Sequence, residues 1–404
     1  MKQMWKIWGL IILLIIVSRE SFWFGTYGNS FLFTLRDVVL MLLPIVLVFT
    51  NTTYKIVNKS AGLLFFSFLM FFFTTVVNGN TLGGPLLMIS AFITSLYMSN
   101  LVKIDVYLGA FSKIITLLSI FSIIVWGGCA IGTISPAIGY NIIETPFLYK
   151  FFNVFFLDNE SFLLRNSSIF REPGVFMVYL NLSLIIELIY IPILYGKFNV
   201  KCIVILFVAL LSTFSTGGIV TGALIVFLAL LHQKKMNFAT VMILFLIGFG
   251  ALFVVNNDDV FAFIFGKFEN INEYGSGFTR LASFVLPLNI ILDNPFFGVG
   301  YNNYYVLFDE YCQEIFHRSI DAQSQSTNTF MTLGAVWGTW FLILFIYGIY
   351  KFTKRIYADS GLIQKGLFIT ILLMLCNEAM IYCFPLYIIM FYGLNYGKSD
   401  KRSL

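Results

Sequence analysis

Three arginines, Arg165, Arg171 and Arg280, are the residues of this chain best suited to chemistry on a polar, anionic group. They lie in two stretches, 132–172 and 256–325, which also hold thirteen of the chain's twenty carboxylates. Glu144, Asp158, Glu160 and Glu172 are in the first stretch. Asp258, Asp259, Glu269, Glu273, Asp293, Asp309, Glu310, Glu314 and Asp321 are in the second. An ionised side chain in hydrocarbon is costly, so a membrane chain gathers its charge where water and polar substrates are. A guanidinium fork matches phosphate oxygens bidentately. At Arg171-Glu172-Pro173-Gly174 a helix start adds positive potential beside the fork. The plainer alternative is an interfacial Arg–Glu pair, with Pro173 in the first helical turn, where its missing N–H costs little.

Other groups have weaker chemistry. Two histidines, His232 and His317, are too few and too far apart for a histidine metal site, so no metal is expected. Asp258-Asp259 could hold a divalent cation, but adjacent loop acids are usually solvated. Five cysteines do not make a disulfide framework, since all but Cys312 fall in apolar segments. Asp293-Asn294-Pro295-Phe296-Phe297-Gly298-Val299-Gly300-Tyr301 reads as a turn that seats the next helix, not as a nucleotide loop. Ser212-Thr213-Phe214-Ser215-Thr216-Gly217-Gly218 is a hydroxyl-lined corner that packs helices or touches a sugar. Gly218 and Gly222 predict a close helix crossing there. Glu187 and Glu378 fall inside predicted spans, where acids are functional suspects, but no facing cation is evident for an ion relay.

The elements that must position these groups are membrane helices. The chain has 404 residues, 59% hydrophobic and 11% charged, with mean hydropathy +0.88. Soluble domains carry roughly 25% charged residues, so the composition is that of an all-α, polytopic membrane protein. Net charge +5 comes from scattered Lys and Arg, which is not a nucleic-acid signal, so no nucleic-acid partner is expected. A helix needs about 20 apolar residues to cross the bilayer, and about twelve segments qualify. They lie near 5–18, 37–54, 61–77, 83–100, 113–131, 173–194, 202–216, 217–231, 238–255, 326–350, 366–381 and 384–397. The N-terminal run lacks a small-x-small cleavage site and reads as a retained span. Residues 1–404 are thus expected to form a single transmembrane domain.

Seventeen of the 25 Lys and Arg sit in alternate connections and at the two ends. By the positive-inside rule both termini are cytoplasmic and the two long loops face outward. Within the loops, 147–157 and 281–292 are short and apolar, as interfacial or re-entrant pieces are. Residues 301–318 have helical periodicity, with Tyr301, Tyr304, Tyr305, Phe308, Tyr311, Ile315 and Phe316 on one side. That pattern predicts an interfacial helix with its rings in the lipid boundary.

Taken in order, these marks resemble a bacterial O-antigen or capsule repeat-unit polymerase of the Wzy type, in the O-antigen ligase-like superfamily. The marks are Arg-Glu-Pro-Gly at 171–174, the Ser/Thr-Gly corner, the loop Arg280, the Asp-x-Pro-x-x-Gly-x-Gly run at 293–300, and Ser326-Thr327-Asn328 followed by Gly334 and Gly338. Ligases typically carry His-Asn at the last turn. Here Thr327 stands at that place, which favours the polymerase.

The resemblance implies a GT-C-like, metal-independent glycosyltransferase of the bacterial cell (inner) membrane, without cofactors. Its substrates would be undecaprenyl-diphosphate-linked oligosaccharides, and its partners membrane lipid and the flippase and chain-length regulator of the same pathway. On that reading Arg165, Arg171 and Arg280 meet the diphosphate as the sugar C1–O bond breaks. Tyr301, Tyr304 and Asp321 would bind sugar. Glu172 is the first candidate for the acceptor's base, although its Arg neighbour lowers its basicity. His317, or a loop acid such as Asp321, is the alternative. Two readings stay open beside the polymerase: an O-antigen ligase, and a lipid-linked oligosaccharide flippase or other transporter. A flippase would place its cations among the spans and keep its outer loops short.

Overall fold

The computed structural model describes residues 2–26, 30–50, 58–133, 153–156, 164–232, 276–318, 326–358 and 361–395. The predicted span 238–255, the Asp258-Asp259 pair, Asp321 and most of the 147–157 piece lie outside the described residues. In chain order the helices begin with α1 (Lys2–Ile16), α2 (Ser30–Thr50), α3 (Asn58–Val77), α4 (Gly83–Leu101) and α5 (Ile104–Ala130). An antiparallel hairpin of β1 (Asn153–Phe156) and β2 (Leu164–Ser168) follows. Next are α6 (Pro173–Tyr195), α7 (Val200–Ser212) and α8 (Thr216–His232). The last group is α9 (Ser276–Asp293), α10 (Gly300–Phe316), α11 (Thr329–Trp337), α12 (Thr339–Ile356), α13 (Gly361–Leu375) and α14 (Phe384–Leu394).

Among the described residues four helices are long and apolar enough to cross a membrane: Ser30–Phe49, Gly83–Leu101, Ile104–Ala130 and Pro173–Tyr195. Shorter apolar helices run over Trp5–Ile16, Gly62–Val77, Val200–Ser212, Thr216–His232, Gly361–Leu375 and Phe384–Leu394. The architecture is that of an all-α membrane protein to which one small hairpin is added. Two compact units divide the chain, each discontinuous in sequence. The first holds Met1–Asn29, Asp105–Asn270 and Asp359–Met374; the second holds Ser30–Ile104, Ile271–Ala358 and Leu375–Leu404.

In the first unit α6 is central. Pro173 opens it, and every residue from Pro173 to Tyr190 is buried, as expected of a helix that is apolar all round. A π turn at Ile186–Tyr190 interrupts its regular bonding. The close crossing predicted at Gly218 and Gly222 is present. A Cβ on Gly218 would lie 2.9 Å from Met177 Cβ of α6, and one on Gly222 would lie 2.7 Å from Leu210 Cδ2 of α7. Asn181 Nδ2 bonds the Gly218 carbonyl at 3.1 Å and Thr221 Oγ1 at 2.8 Å across the same crossing.

The second unit is organised by the 294–299 turn between α9 and α10. Its carbonyls are taken up by neighbouring side chains: Thr74 Oγ1 donates to Phe297, Asn78 Nδ2 to Gly298 and Asn80 Nδ2 to Val299, at 2.8–3.2 Å. From the other side, Thr339 N–H and Oγ1 both donate to the Pro295 carbonyl, and Val299 N–H donates to Ala335. The predicted role of this run, a turn that seats a helix, is what the bonds build.

Three sequence expectations are corrected here. The span expected at 326–350 is broken into α11 and α12 at Gly338, whose φ of +95° no residue with a side chain adopts readily. A Cβ there would lie 2.2 Å from the Phe296 carbonyl oxygen, so the turn that seats α10 also dictates the break. The piece expected at 281–292 is part of a continuous helix, α9, of 18 residues that carries Pro287 inside it. Helix α10 does not lay all its rings in lipid. Gly300, Tyr304, Phe308 and Cys312 form a stripe at intervals of one turn, and all four are buried. Docking on α9 and α11 turns that face inward.

Candidate functional site

The first unit gathers Arg165, Arg171 and Glu172 around the end of the hairpin. Arg171 is fixed in three ways. Its Nε donates to Glu20 Oε2 at 3.2 Å, its Nη1 to Glu172 Oε1 at 2.9 Å, and its backbone N–H to the Glu20 carbonyl at 2.9 Å. Glu20 is buried, and burial raises its pKa above the ordinary carboxylate value despite the opposing pull of Arg171. Glu20 was not legible as a partner, because it lies 151 residues away in the chain. Glu172 occupies the N-cap position of α6 in extended conformation but makes no capping bond with its side chain. That side chain is 51% exposed. The first candidate for the acceptor's base therefore lies in solvent, paired to Arg171.

Arg165 donates through Nε to the Thr213 carbonyl at 2.9 Å. Beside it Asn166 Nδ2 reaches Ser122 Oγ at 3.1 Å and Ser212 Oγ at 3.0 Å. Ser212 and Thr213 each donate to a carbonyl one turn back in α7, and Thr213 Oγ1 accepts from the Ser215 N–H. The hydroxyls of the 212–218 corner therefore anchor the hairpin and begin α8.

The second unit holds a different constellation. Arg280 on α9 is half-buried, and among the described residues it makes no hydrogen bond or contact ion pair. Burial lowers its pKa, and the charge of Glu378 opposes that shift. Ser283 lies one helical turn further along α9. Its Oγ accepts from both the N–H and the hydroxyl of Thr327, at 2.9 and 3.2 Å. Asn328 caps α11 by accepting from the Met331 N–H at 3.2 Å. Thr329 Oγ1 donates to the Glu378 carbonyl and accepts from the Met380 N–H at 3.0 Å. Glu378, expected inside a span, lies instead in the non-helical stretch 376–383 between α13 and α14.

The polar turn expected at Ser326-Thr327-Asn328 is thus the junction of three segments: α9, the start of α11 and the 376–383 stretch. Sequence reasoning singled out Arg280 and the turn separately but gave Ser283 no role and Glu378 no partner. Glu187 and Glu378 were visible as acids inside predicted spans; that the charge of Arg280 acts on Glu378 was not.

The remaining expected residues separate. Tyr304 is fully buried, with its hydroxyl within 2.7 Å of Ser326 Oγ and 3.1 Å of Thr332 Oγ1. Burial pushes that hydroxyl's pKa up to about 12. A ring in the core cannot offer its face to a sugar, so the expected contact by Tyr304 is corrected to a packing role. Tyr301 is half-buried in a cluster with Tyr305 and Tyr382, ring centroids 5.2 and 5.7 Å away. His317 caps the other end of α10 in the left-handed conformation, φ +53°, and is exposed.

Residues 202–346 match the family model for O-antigen ligase. The matched stretch begins in α7 and ends in α12, so it contains Arg280, Ser283, Tyr304, His317 and Thr327. The match spans about a third of the chain, and it is a similarity of that part to the O-antigen ligase family. No curated protein matches the chain.

Proposed function

We propose that this chain is a polysaccharide polymerase that joins undecaprenyl-diphosphate-linked oligosaccharide repeats at the outer face of the bacterial cell membrane. The observation that carries the reading is Arg280, a half-buried guanidinium without a contact anion among the described residues, inside the stretch that matches O-antigen ligase. A buried or half-buried cation is stabilised by a counter-charge, and a diphosphate leaving group supplies one as its bond to the sugar breaks. Arg171 differs, because Glu20 and Glu172 already neutralise it. In this proposal Arg280 meets the diphosphate, while Arg165 and Arg171 shape the hairpin end of the first unit.

Thr327 favours the polymerase over the ligase reading. Its hydroxyl is bonded to Ser283 at the position where the resemblance places a ligase's histidine. Lipid-linked repeats incubated with the full chain in proteoliposomes test the proposal. A ladder of products on carrier lipid is expected, and Arg280→Ala should slow it by about 10²–10³-fold, the loss typical for one electrostatic donor at a developing charge. Arg280→Lys should recover part of the rate, since a point charge lacks the fork geometry. No ladder from the wild-type chain refutes the polymerase. Transfer of a finished glycan to a lipid A acceptor would move the reading to the ligase.

A further inference from the structure

A groove opens between α3 and α4 of the second unit, with a volume of about 240 Å³. Leu64, Phe68 and Phe71 recur along one face of α3, and Ile89, Phe92 and Ile93 along one face of α4, at helical spacing. Phe71 and Phe92 are buried in its floor, while Phe65 and Phe68 stand exposed at its rim. The floor cannot collapse into the space. Phe71 is held edge-on by Phe92 and Trp337, with ring centroids 5.4 and 4.9 Å away, and lies 5.3 Å from the Trp340 ring. Rings locked against one another in this way preform the groove.

One polar group lies among these rings. Ser67 lines the groove and is buried, and its hydroxyl bonds no nitrogen or oxygen among the described residues. A serine inside a helix ordinarily bonds the carbonyl one turn back. Thr75 of the same helix does so, donating to the Phe71 carbonyl at 2.7 Å. A pocket that is apolar except for a few placed polar groups is the usual form of a small-ligand site. In a bilayer the apolar wall does not choose the occupant, because lipid tails are as apolar as the side chains. The hydroxyl does. With no lone pair in reach it is left to donate to π electrons, which an isoprenoid chain carries in every repeat and a saturated acyl chain lacks.

We infer that this groove takes the isoprenoid chain of the lipid-linked substrate, an assignment that rests on the glycosyl-transfer reading above. The helix that lines the groove also reaches the polar turn of the unit. Thr74 lies seven residues beyond Ser67, and so about 10 Å further along α3. Its hydroxyl donates to the Phe297 carbonyl at 2.8 Å, and the Phe73 and Phe297 rings lie 6.1 Å apart. The 294–299 turn held there belongs to the stretch that matches O-antigen ligase. A chain seated in the groove lies along α3 with one end towards that turn, which leaves its diphosphate on the side of the polar residues.

Photo-crosslinking tests this apart from catalysis. The full chain carrying Phe65→p-benzoylphenylalanine is placed in phosphatidylcholine vesicles that hold a tagged undecaprenyl phosphate. The same photoprobe in place of Phe49, exposed on α2, reports bulk lipid. Labelling from the Phe65 position should exceed that from the Phe49 position. Untagged undecaprenyl phosphate should displace it, and saturated phosphatidic acid should not. The fully hydrogenated carrier should compete about two- to fivefold less well, the worth of one weak hydrogen bond, and Ser67→Ala should erase that difference. Ile93→Trp fills the groove from a half-exposed position; it should cut the labelling, and in the polymerisation assay its loss should lie in KM. Equal displacement by both phospholipid and carrier, labelling no stronger than from the Phe49 position, or a preference that Ser67→Ala leaves intact overturns the assignment. Selective labelling of a chain that makes no polymer would keep the groove and refute the polymerase reading instead.

Discussion

Replacing Arg171 with Ala removes the cation beside Glu20, a carboxyl only 3% exposed and inaccessible to water as a substitute partner. Breaking a buried pair by deleting one member costs about 3–5 kcal/mol. A second route limits the loss, because Glu20 can take up a proton. Neutralising a carboxyl of ordinary pKa at pH 7 costs about 3.7 kcal/mol. The Arg171 side chain is 22% exposed, which favours the lower end of the range, so a destabilisation of about 3 kcal/mol is expected. The sign of the pH effect follows. Burial already raises the folded pKa of Glu20, and without Arg171 it rises further. A folded state that binds its proton more readily than the unfolded chain loses stability as pH rises through the window between the two values. The variant should therefore recover relative to wild type as pH is lowered from 7 towards about 4.3, the ordinary Glu value. Adding Glu20→Gln to Arg171→Ala removes the orphaned charge and should restore most of the loss. Thermal unfolding of the detergent-purified full chain, run as a double-mutant cycle, measures this coupling. If Arg171→Ala unfolds like wild type at pH 7, or the double variant is no more stable than the single one, the reasoning is wrong. Arg171 would then return as a ligand contact.

Other outcomes follow from the same geometry. Gly338→Ala must take a side chain into φ +95° with its Cβ 2.2 Å from a backbone oxygen; strained backbone of this kind costs about 1–3 kcal/mol before the clash is counted, so folded protein recovered from membranes should fall sharply. Tyr304→Phe deletes a buried hydroxyl bonded to Ser326 and Thr332 and should lower stability by about 1–3 kcal/mol through their lost partner, with polymer length unchanged; a loss of activity at wild-type stability would restore Tyr304 as a substrate contact. Reporters fused after residues 150 and 270 should read as outside the cytoplasm, and those after 57, 199, 234 and 356 as inside, from the Lys/Arg alternation. A cytoplasmic signal at 270 would place that loop on the wrong side for the proposed chemistry.

Hydropathy alone determined that this chain is a membrane protein of apolar helices. Local patterns also located the helix start at Pro173, the crossing at Gly218 and Gly222, and the seating turn at 294–299. These features depend on neighbours a few residues apart and on the preference of side chains for lipid or water, both of which a single sequence displays. The pairing of Arg171 with Glu20 spans 151 residues, and the action of the Glu378 charge on Arg280 depends on where a non-helical stretch lies in the unit. Neither can be read from spacing along one segment. The same limit hid the break at Gly338, where an apolar run long enough for one span is divided because the backbone of the 295–298 turn occupies the space a continuous helix would need. It also hid the inward face of α10: periodicity placed Tyr304 and Phe308 on one side of that helix, but only its docking against α9 and α11 decided that the side faces the core.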